Sequence, residues 1–310
     1  MPCIDILPVF AGGWHDDCAP YKGENYGTRP SNRFSANFKQ RTCHSVSRAH
    51  ALARTSEYLR FMRILTLNTW HNNGPWLQRR DALIQGIVRY APDILLFQEL
   101  FDADWSKELR ARLGYPHLVL TECAHSGLVV LSKLPPHGDQ LYRMNTKSPF
   151  ENYWRYALWA ELSDGVHRVK IFNTHLSWEL EDCATREAQV RELLSFIRNH
   201  LDRSEDALTI VAGDFNSTPD SAAMTWFLGR SALIDTYGTL HPGTAGFTWN
   251  SRNLFAQNHR PVLPDRRIDY ILADARLAKN LKRCEIVFDT PDALGMFASD
   301  HFGVLAEFDE

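Results

Sequence analysis

Short apolar runs separated by polar turns dominate the chain from residue 62 onward. Strand-like runs recur at 63–68, 93–98, 127–132, 155–161, 167–173, 208–212, 267–273, 283–288 and 302–308. Longer one-sided patterns predict helices over 77–90, 102–113, 183–202 and 219–229. In the third of these, Val190, Leu193, Leu194, Ile197 and Leu201 recur at spacings of mostly three and four, which lays an apolar stripe along one helix face. Strands interleaved with helices throughout predict two packed sheets with helices outside them, an α/β layered domain. Loops 133–153 and 238–266 are long and aromatic, and long loops in a compact domain are often functional.

Residues 1–61 break this pattern. They lack sustained periodicity and scatter Gly, Pro, Ser, Asn and His. From Thr28 to Arg60 seven basic residues stand against one acid, Glu57. That bias fits a targeting peptide, but Asp5, Asp16, Asp17 and Glu24 argue against one. The segment reads as a disordered extension, or as an over-extended start with Met62 the natural first residue. One domain over 62–310 follows. The chain has 310 residues and is 44% hydrophobic, enough for one large core. Its net charge of −3 does not favour a protein that coats nucleic acid, although a local basic groove stays open. Six cysteines form no C-x-x-C pair and read as reduced thiols of a cytoplasmic protein. No run approaches the roughly 18 apolar residues of a membrane span.

Polar and acidic residues close the apolar runs. Asn68 follows 64–67, where its amide could meet a metal or a phosphate oxygen, or simply form a turn. Glu99 ends the run 93–98; an acid there is costly to bury unless a cation or donor meets it. Mg²⁺ takes oxygen ligands and needs only one or two carboxylates, and an ordinary ion pair is the alternative. Asn173 and His175 are two apart in a strand, so both point to one side. The imidazole could hydrogen-bond a phosphate oxygen or protonate a leaving oxygen, or be structural. Asp214 and Asn216 repeat that spacing after 207–212, and Gly213 allows close backbone approach. The carboxylate could orient or deprotonate water while the amide holds a phosphoryl oxygen. An Asx turn before a helix starting at Pro219 is the alternative. Asp269 places an acid within a strand, where His301 is an attractive partner, since a carboxylate fixes an imidazole tautomer. Asp300 next door can reach a metal directly or through water. Each is weak alone; nearly all sit at predicted strand ends.

The ordered set Leu67-Asn68-Thr69-Trp70, Phe97-Gln98-Glu99, the run 126–132, Thr174-His175-Leu176, Gly213-Asp214-Phe215-Asn216, Arg267-Ile268-Asp269-Tyr270 and Ser299-Asp300-His301 resembles the endonuclease/exonuclease/phosphatase superfamily from residue 62 to about 308. The resemblance implies a four-layer α/β sandwich of two mixed β-sheets flanked by helices, the DNase I-like fold, and Mg²⁺-dependent cleavage of phosphoesters, with Mn²⁺ able to substitute. It implies Glu99 as main metal ligand with Asn68 and Asp300 beside it, Asp214 and Asn216 holding water and phosphate, and an Asp269–His301 pair. Asp214 and His301 both qualify as the base; the expectation is His301, because an imidazole oriented by a carboxylate suits neutral pH.

The motifs Asn68-Thr69-Trp70 and Thr174-His175-Leu176 look nearest to neutral sphingomyelinase-type members. The expected partner is therefore a phosphoester with a lipid or small head group, acted on by a monomer. A nuclease or DNA-end-processing enzyme is the alternative, and a non-catalytic binding module fits least, because the acid, amide and histidine set is complete. Leu294-Gly295-Met296-Phe297 could touch lipid or be a buried loop. Asn173, Arg155 and Trp249 are expected at the substrate, though Arg155 could form a salt bridge. Residues 246–250 with Asn253, Arg260 and Arg266 could hold a head group or pack the long loop over the sheet.

Overall fold

The computed structural model describes residues 61–309, apart from 122–124, 164, 166–167, 202–206 and 261. The expectations for 1–60 lie outside the described residues. Twelve strands form two six-stranded sheets. The first holds β1 (Phe61–Asn68), β2 (Ile94–Gln98), β3 (His117–Leu120), β4 (Val129–Ser132), β11 (Leu281–Val287) and β12 (Gly303–Asp309), in the order β11-β12-β1-β2-β4-β3. The second holds β5 (Pro136–Arg143), β6 (Tyr156–Ser163), β7 (Arg168–His175), β8 (Leu208–Asp214), β9 (Leu233–Asp235) and β10 (Asp269–Asp274), in the order β5-β6-β7-β8-β10-β9. Each sheet has one parallel pair at its centre, β1 with β2 and β7 with β8, and is otherwise antiparallel. A parallel pair needs a helical crossover, supplied by α1 (Trp76–Tyr90) and α3 (Cys183–Asn199). Helices α2 (Ala103–Leu113) and α4 (Ala222–Ser231) complete the outer layers, and α5 (Thr236–Leu240), α6 (Leu254–Gln257) and α7 (Ala275–Ala278) are short turns between strands.

Alternation along the strands builds the layers. Ile64, Leu96, Val130, Ile171, Ile210, Ala212, Ile271 and Val304 face one another between the sheets. Their neighbours Leu65, Leu95, Phe97 and Val129 face α1 and α2, while Phe172, Val211, Tyr270 and Leu272 face α3 and α4. The order is helix, sheet, sheet, helix, the expected four-layer sandwich.

The differences from the sequence reading are local. Strands β3, β5 and β9 were not anticipated. β5 is an exposed, polar edge inside the expected loop 133–153, and it becomes a strand through its pairing with β6. Helix α4 begins at Ala222 rather than at Pro219, because the Ser221 side chain accepts from the Met224 N–H and caps it there.

Gly213 fixes the central pair of the second sheet. Its φ is +136°, and a Cβ would lie 2.0 Å from the Thr174 carbonyl oxygen on the paired strand. Gly213→Ala is expected to lower the thermal midpoint by roughly 5 °C or more, at about 2–4 °C per kcal/mol for a domain of this size. A calorimetric scan with an unchanged midpoint would show that the pair relaxes around the methyl.

Candidate active site

The site is the open end of the layer between the sheets. Residues of the inward-facing parity end four neighbouring strands in polar groups: Ile64, Thr66, Asn68; Ile171, Asn173, His175; Ile210, Ala212, Asp214; and Asp269 followed by Ile271 and Ala273. Because β1, β7 and β8 run one way and β10 the other, Asn68, His175, Asp214 and Asp269 gather at the same end. In register, His175 and Asp269 both stand opposite Asp214. Glu99 has the wrong parity to join them. Its backbone turns left-handed at φ +56°, and its Oε1 comes to 3.1 Å from Asn68 Nδ2. Asn216, of the same parity as Asp214, is also left-handed at φ +48°.

Asp214 is the hub. Its Oδ2 accepts from Asn68 Nδ2 at 3.0 Å and lies 3.4 Å from His175 Nε2 and 3.8 Å from His301 Nε2. Its Oδ1 accepts from the Asn216 N–H at 2.9 Å. His301 Nδ1 donates to Asp269 Oδ2 at 3.0 Å. The His301 loop is tied down on both sides. Ser299 Oγ donates to the Asn68 carbonyl, and the Phe302 N–H donates to the Thr248 carbonyl. The Thr248 hydroxyl in turn accepts from the N–H groups of Ile268 and Asp269.

Burial and mutual charge set the protonation states. Burial raises the Asp214 carboxyl, Asp269 adds to this, and His301 opposes it, leaving it at about 6. Burial pulls the His301 imidazole down, but Asp269 and Asp214 outweigh it and raise it to about 10. Burial, then Arg155 and His301, hold His175 well below the ordinary histidine range, so it is neutral. Burial and the opposing charge of His301, with Glu99 beside them, leave Asp300 raised to about 7. A cationic His301 is a proton donor rather than an acceptor, which bears on the choice of base between it and Asp214.

Three residues expected at the substrate have partners within the protein. Asn173 is fully buried; its Nδ2 donates to the carbonyls of Phe97 and Val129, and its Oδ1 accepts from Gln98 Nε2 at 2.7 Å. It clamps the two sheets together beneath the site. Arg155 is buried in a two-pronged ion pair with Glu151 at 2.8 and 3.0 Å, whose carboxylate also accepts from the Trp178 N–H. Trp249 is buried, bridges Arg266 and His301, and sets its ring edge-on to His301 at 5.1 Å. It positions the imidazole. Asn216 keeps its place beside Asp214, with Nδ2 donating to the Leu176 carbonyl. Of the segment 294–297, Leu294 is an exposed tip and Phe297 is buried.

Arg79 was not anticipated. It is fully buried, and its five N–H groups reach the carbonyls of Thr69, Trp70, His71, Asn73 and Ala298. It thereby holds the loop after Asn68 against the segment before Asp300. Its sequence signal is its place on the buried stripe of α1, with Ala82, Leu83 and Ile87.

Glu99, Asp300 and Asn68 suit a hard divalent cation. Glu99 and Asp300 offer carboxylate oxygens, and Asn68, whose Nδ2 faces Glu99 and Asp214 while its Oδ1 accepts from the Trp70 N–H, would offer its oxygen with the amide turned. Asp300 is buried beside a second carboxylate, and no lysine or arginine among the described residues forms an ion pair with either acid. Asp214, Asp269 and His301 also place one ligand atom each within 4.8 Å of one another. There, however, the imidazole Nδ1 is already engaged by Asp269.

Two sheets whose polar strand ends gather acids, amides and histidines around an oxygen-donor set define a phosphoesterase-type site. The profile of the Endonuclease/Exonuclease/phosphatase family matches residues 65–301, and the chain belongs to that family. A Caenorhabditis elegans protein provisionally named neutral sphingomyelinase is 26% identical over 301 residues, 83% of this chain and 69% of its own. A Drosophila melanogaster protein of the same name is 26% identical over 195 residues, 56% of this chain and 43% of its own. Among solved structures, truncated Caenorhabditis elegans TDP2 superposes with a TM-score of 0.66 at 20% identity, covering 81% of this chain and 98% of that one. A Staphylococcus aureus beta toxin gives 0.65 at 19%, covering 80% and 100%. At these identities the structures share the fold.

Two measurements test these assignments. His301 is raised from an ordinary 6.5 to about 10 by folding, so its stabilising contribution is complete below about 6.5 and lost as pH rises towards 10. Urea midpoints at pH 6.5 and 9.5 should therefore differ more for the native protein than for His301→Gln; equal differences would refute a cationic His301. Asn173→Ala should cost roughly 1–3 kcal/mol of stability, because it strands Gln98 and two carbonyls. A raised KM with unchanged stability would instead return Asn173 to the substrate.

Proposed function

We propose that the protein is a metal-dependent phosphodiesterase acting on a lipid or small-molecule phosphodiester, with Asp214 as general base. The observation that carries this reading is Asp214 itself. It is a buried carboxylate poised at about 6, between the Asn68 amide, which also meets Glu99, and the cationic His301. Glu99 and Asp300, with Asn68 beside them, would hold Mg²⁺, or Mn²⁺ in its place, which when bound would supply positive charge against the phosphate and the leaving oxygen.

The chain's own groups manage the protons. Asn216 fixes Asp214 through its N–H, leaving Oδ2 to take a proton from the attacking water. Neutral His175 offers a hydrogen bond from the same side of the cleft. His301 keeps Nδ1–H on Asp269, and its Nε2–H can stabilise or protonate the leaving oxygen. Asp214 Oδ2 lies 3.8 Å from His301 Nε2, a gap that one bridging water spans to return the proton to the imidazole. We assign Asp214, Asp269 and His301 to this relay rather than to a second cation, because the Asp269–His301 hydrogen bond already satisfies the imidazole.

The named relatives favour a lipid or small head group, and the net charge of −3 disfavours a DNA-tracking nuclease. Leu294 at 87% and Val262 at 64% exposure add apolar surface. We place the enzyme in the cytoplasm as a monomer of one domain over 62–310. No helix among the described residues is long and apolar enough to cross a membrane.

An activity panel with Mg²⁺ or Mn²⁺ on sphingomyelin, abasic and plain DNA and simple phosphodiesters tests the reading. Turnover of the diesters is expected to exceed that of DNA; DNA as the best substrate would favour the nuclease. Asp214→Asn should lower kcat roughly 10²–10⁴-fold. Glu99→Gln should abolish the metal dependence while the fold survives, and full activity in either variant would sink the corresponding role.

A further inference from the structure

The row of strand ends along the cleft continues one strand beyond His175. β6 pairs with β7 so that Tyr156 stands opposite His175, and residues 151–155 therefore enter the sheet at its cleft end, beside that imidazole. Arg155 and Glu151 are sealed there as an ion pair. Tyr153 is not sealed. It is 43% exposed, and the Arg155 guanidinium lies over its ring at 4.8 Å.

The Tyr153 hydroxyl is bonded the opposite way from those of Tyr115, Tyr142 and Tyr270. Those three donate: to the Pro92 carbonyl, to the Glu192 carboxylate, and to the carbonyls of Ser217 and Arg267. The Tyr153 oxygen accepts, from Arg155 Nη2 at 3.3 Å and from the Trp178 side chain. Among the described residues nothing accepts its proton. A phenol carries one O–H, so a hydroxyl whose oxygen is taken up by a cation and an indole is left as a donor, strengthened by the donors behind it. Both are fixed in place by one carboxylate, since Glu151 accepts from the Arg155 guanidinium and from the Trp178 backbone N–H. Charge in the cleft reaches this group. Burial raises the phenol, Arg155 opposes the rise, and Glu151 and Glu99 add to it, so that it stands at about 12 and keeps its proton at neutral pH. Glu99 acts on Arg155 as well, and Arg155 on His175. Tyr153 therefore belongs to the Glu99 and His175 side of the cleft, away from His301.

We propose that Tyr153 is a substrate-binding residue whose hydroxyl donates its hydrogen bond to the non-bridging phosphate oxygen on the Glu99–His175 side of the cleft. The role deepens the phosphodiesterase reading and rests on it. Arg155, sealed in its ion pair, then acts on the phosphate only through that hydroxyl. A donor held in advance by Arg155 and Trp178 needs little reorganisation when charge builds on the oxygen.

Tyr153→Phe in the full chain tests this, because it keeps the ring beneath Arg155 and removes only the hydroxyl. With Mg²⁺ present, kcat/KM for bis(p-nitrophenyl) phosphate should fall roughly tenfold or more, the loss expected for one hydrogen bond to a charged oxygen, while the thermal midpoint stays where it was. A value of kcat/KM within about twofold of the native one overturns the proposal. Inorganic phosphate, titrated calorimetrically with Mg²⁺ present, gives a readout that needs no turnover. Saturable binding is expected, weakened roughly tenfold in Tyr153→Phe. No saturable binding to the native protein, or equal binding to both, overturns the contact. A lowered midpoint with phosphate binding kept would make the hydroxyl a structural group and overturns it too. Should the native protein cleave no diester, the phosphodiesterase reading fails, while the phosphate titration still decides whether Tyr153 meets an anion in the cleft.

Discussion

Two buried carboxylates, Asp214 and Asp269, stand opposite each other across the β8–β10 pair with His301 beside both. Two like charges taken out of water at that separation cannot persist unless something of opposite charge or strong donor character meets them. His301 provides the charge, and Asn68 provides a donor from the other sheet. The arrangement therefore joins the sheets chemically at the end where their apolar layer stops. It also sets the protonation states: the imidazole is held cationic by the acids, while burial holds Asp214 high enough to exchange a proton near neutrality.

The two sheets serve the cleft in the same way. Each has a parallel strand pair with a crossover helix, and each helix carries a buried arginine at its fourth residue, Arg79 in α1 and Arg186 in α3. Arg79 binds the carbonyls of the loop that follows β1, and Arg186 those of the loop that follows β7, at Ser177, Glu179 and Leu180. The strand-end residues Asn68 and His175 are thus backed by loops held through their own carbonyls. Preorganisation of this kind keeps the acids and imidazoles in place before any substrate arrives.

The parts of this structure that depend on local pattern were readable from the chain. Period-two alternation located nine strands within a few residues, and the polar residue ending each central strand marked the cleft. Alternation also correctly put Asn173 and His175 on one side. It could not show depth: one step along the strand separates a group at the mouth from one sealed between the sheets, bound to Gln98. The remaining placements depend on partners that alternation does not reveal. Arg155 is decided by Glu151 and the loop at Trp178, Trp249 by its bridges to Arg266 and His301, and β5 by its pairing with β6. Arg79 in an amphipathic helix looks like a solvated residue until five carbonyls are seen around it. The protonation states were unreadable for the same reason, since they turn on which charges are buried together.

The central claim is that the cation belongs to Glu99, Asp300 and Asn68, leaving Asp214, Asp269 and His301 free for proton transfer. Anomalous scattering from crystals soaked in Mn²⁺ tests it most directly. The account predicts a manganese peak at the Glu99 carboxylate, with the Asp269–His301 hydrogen bond intact. A single peak among Asp214, Asp269 and His301, with Glu99 bare, would contradict it.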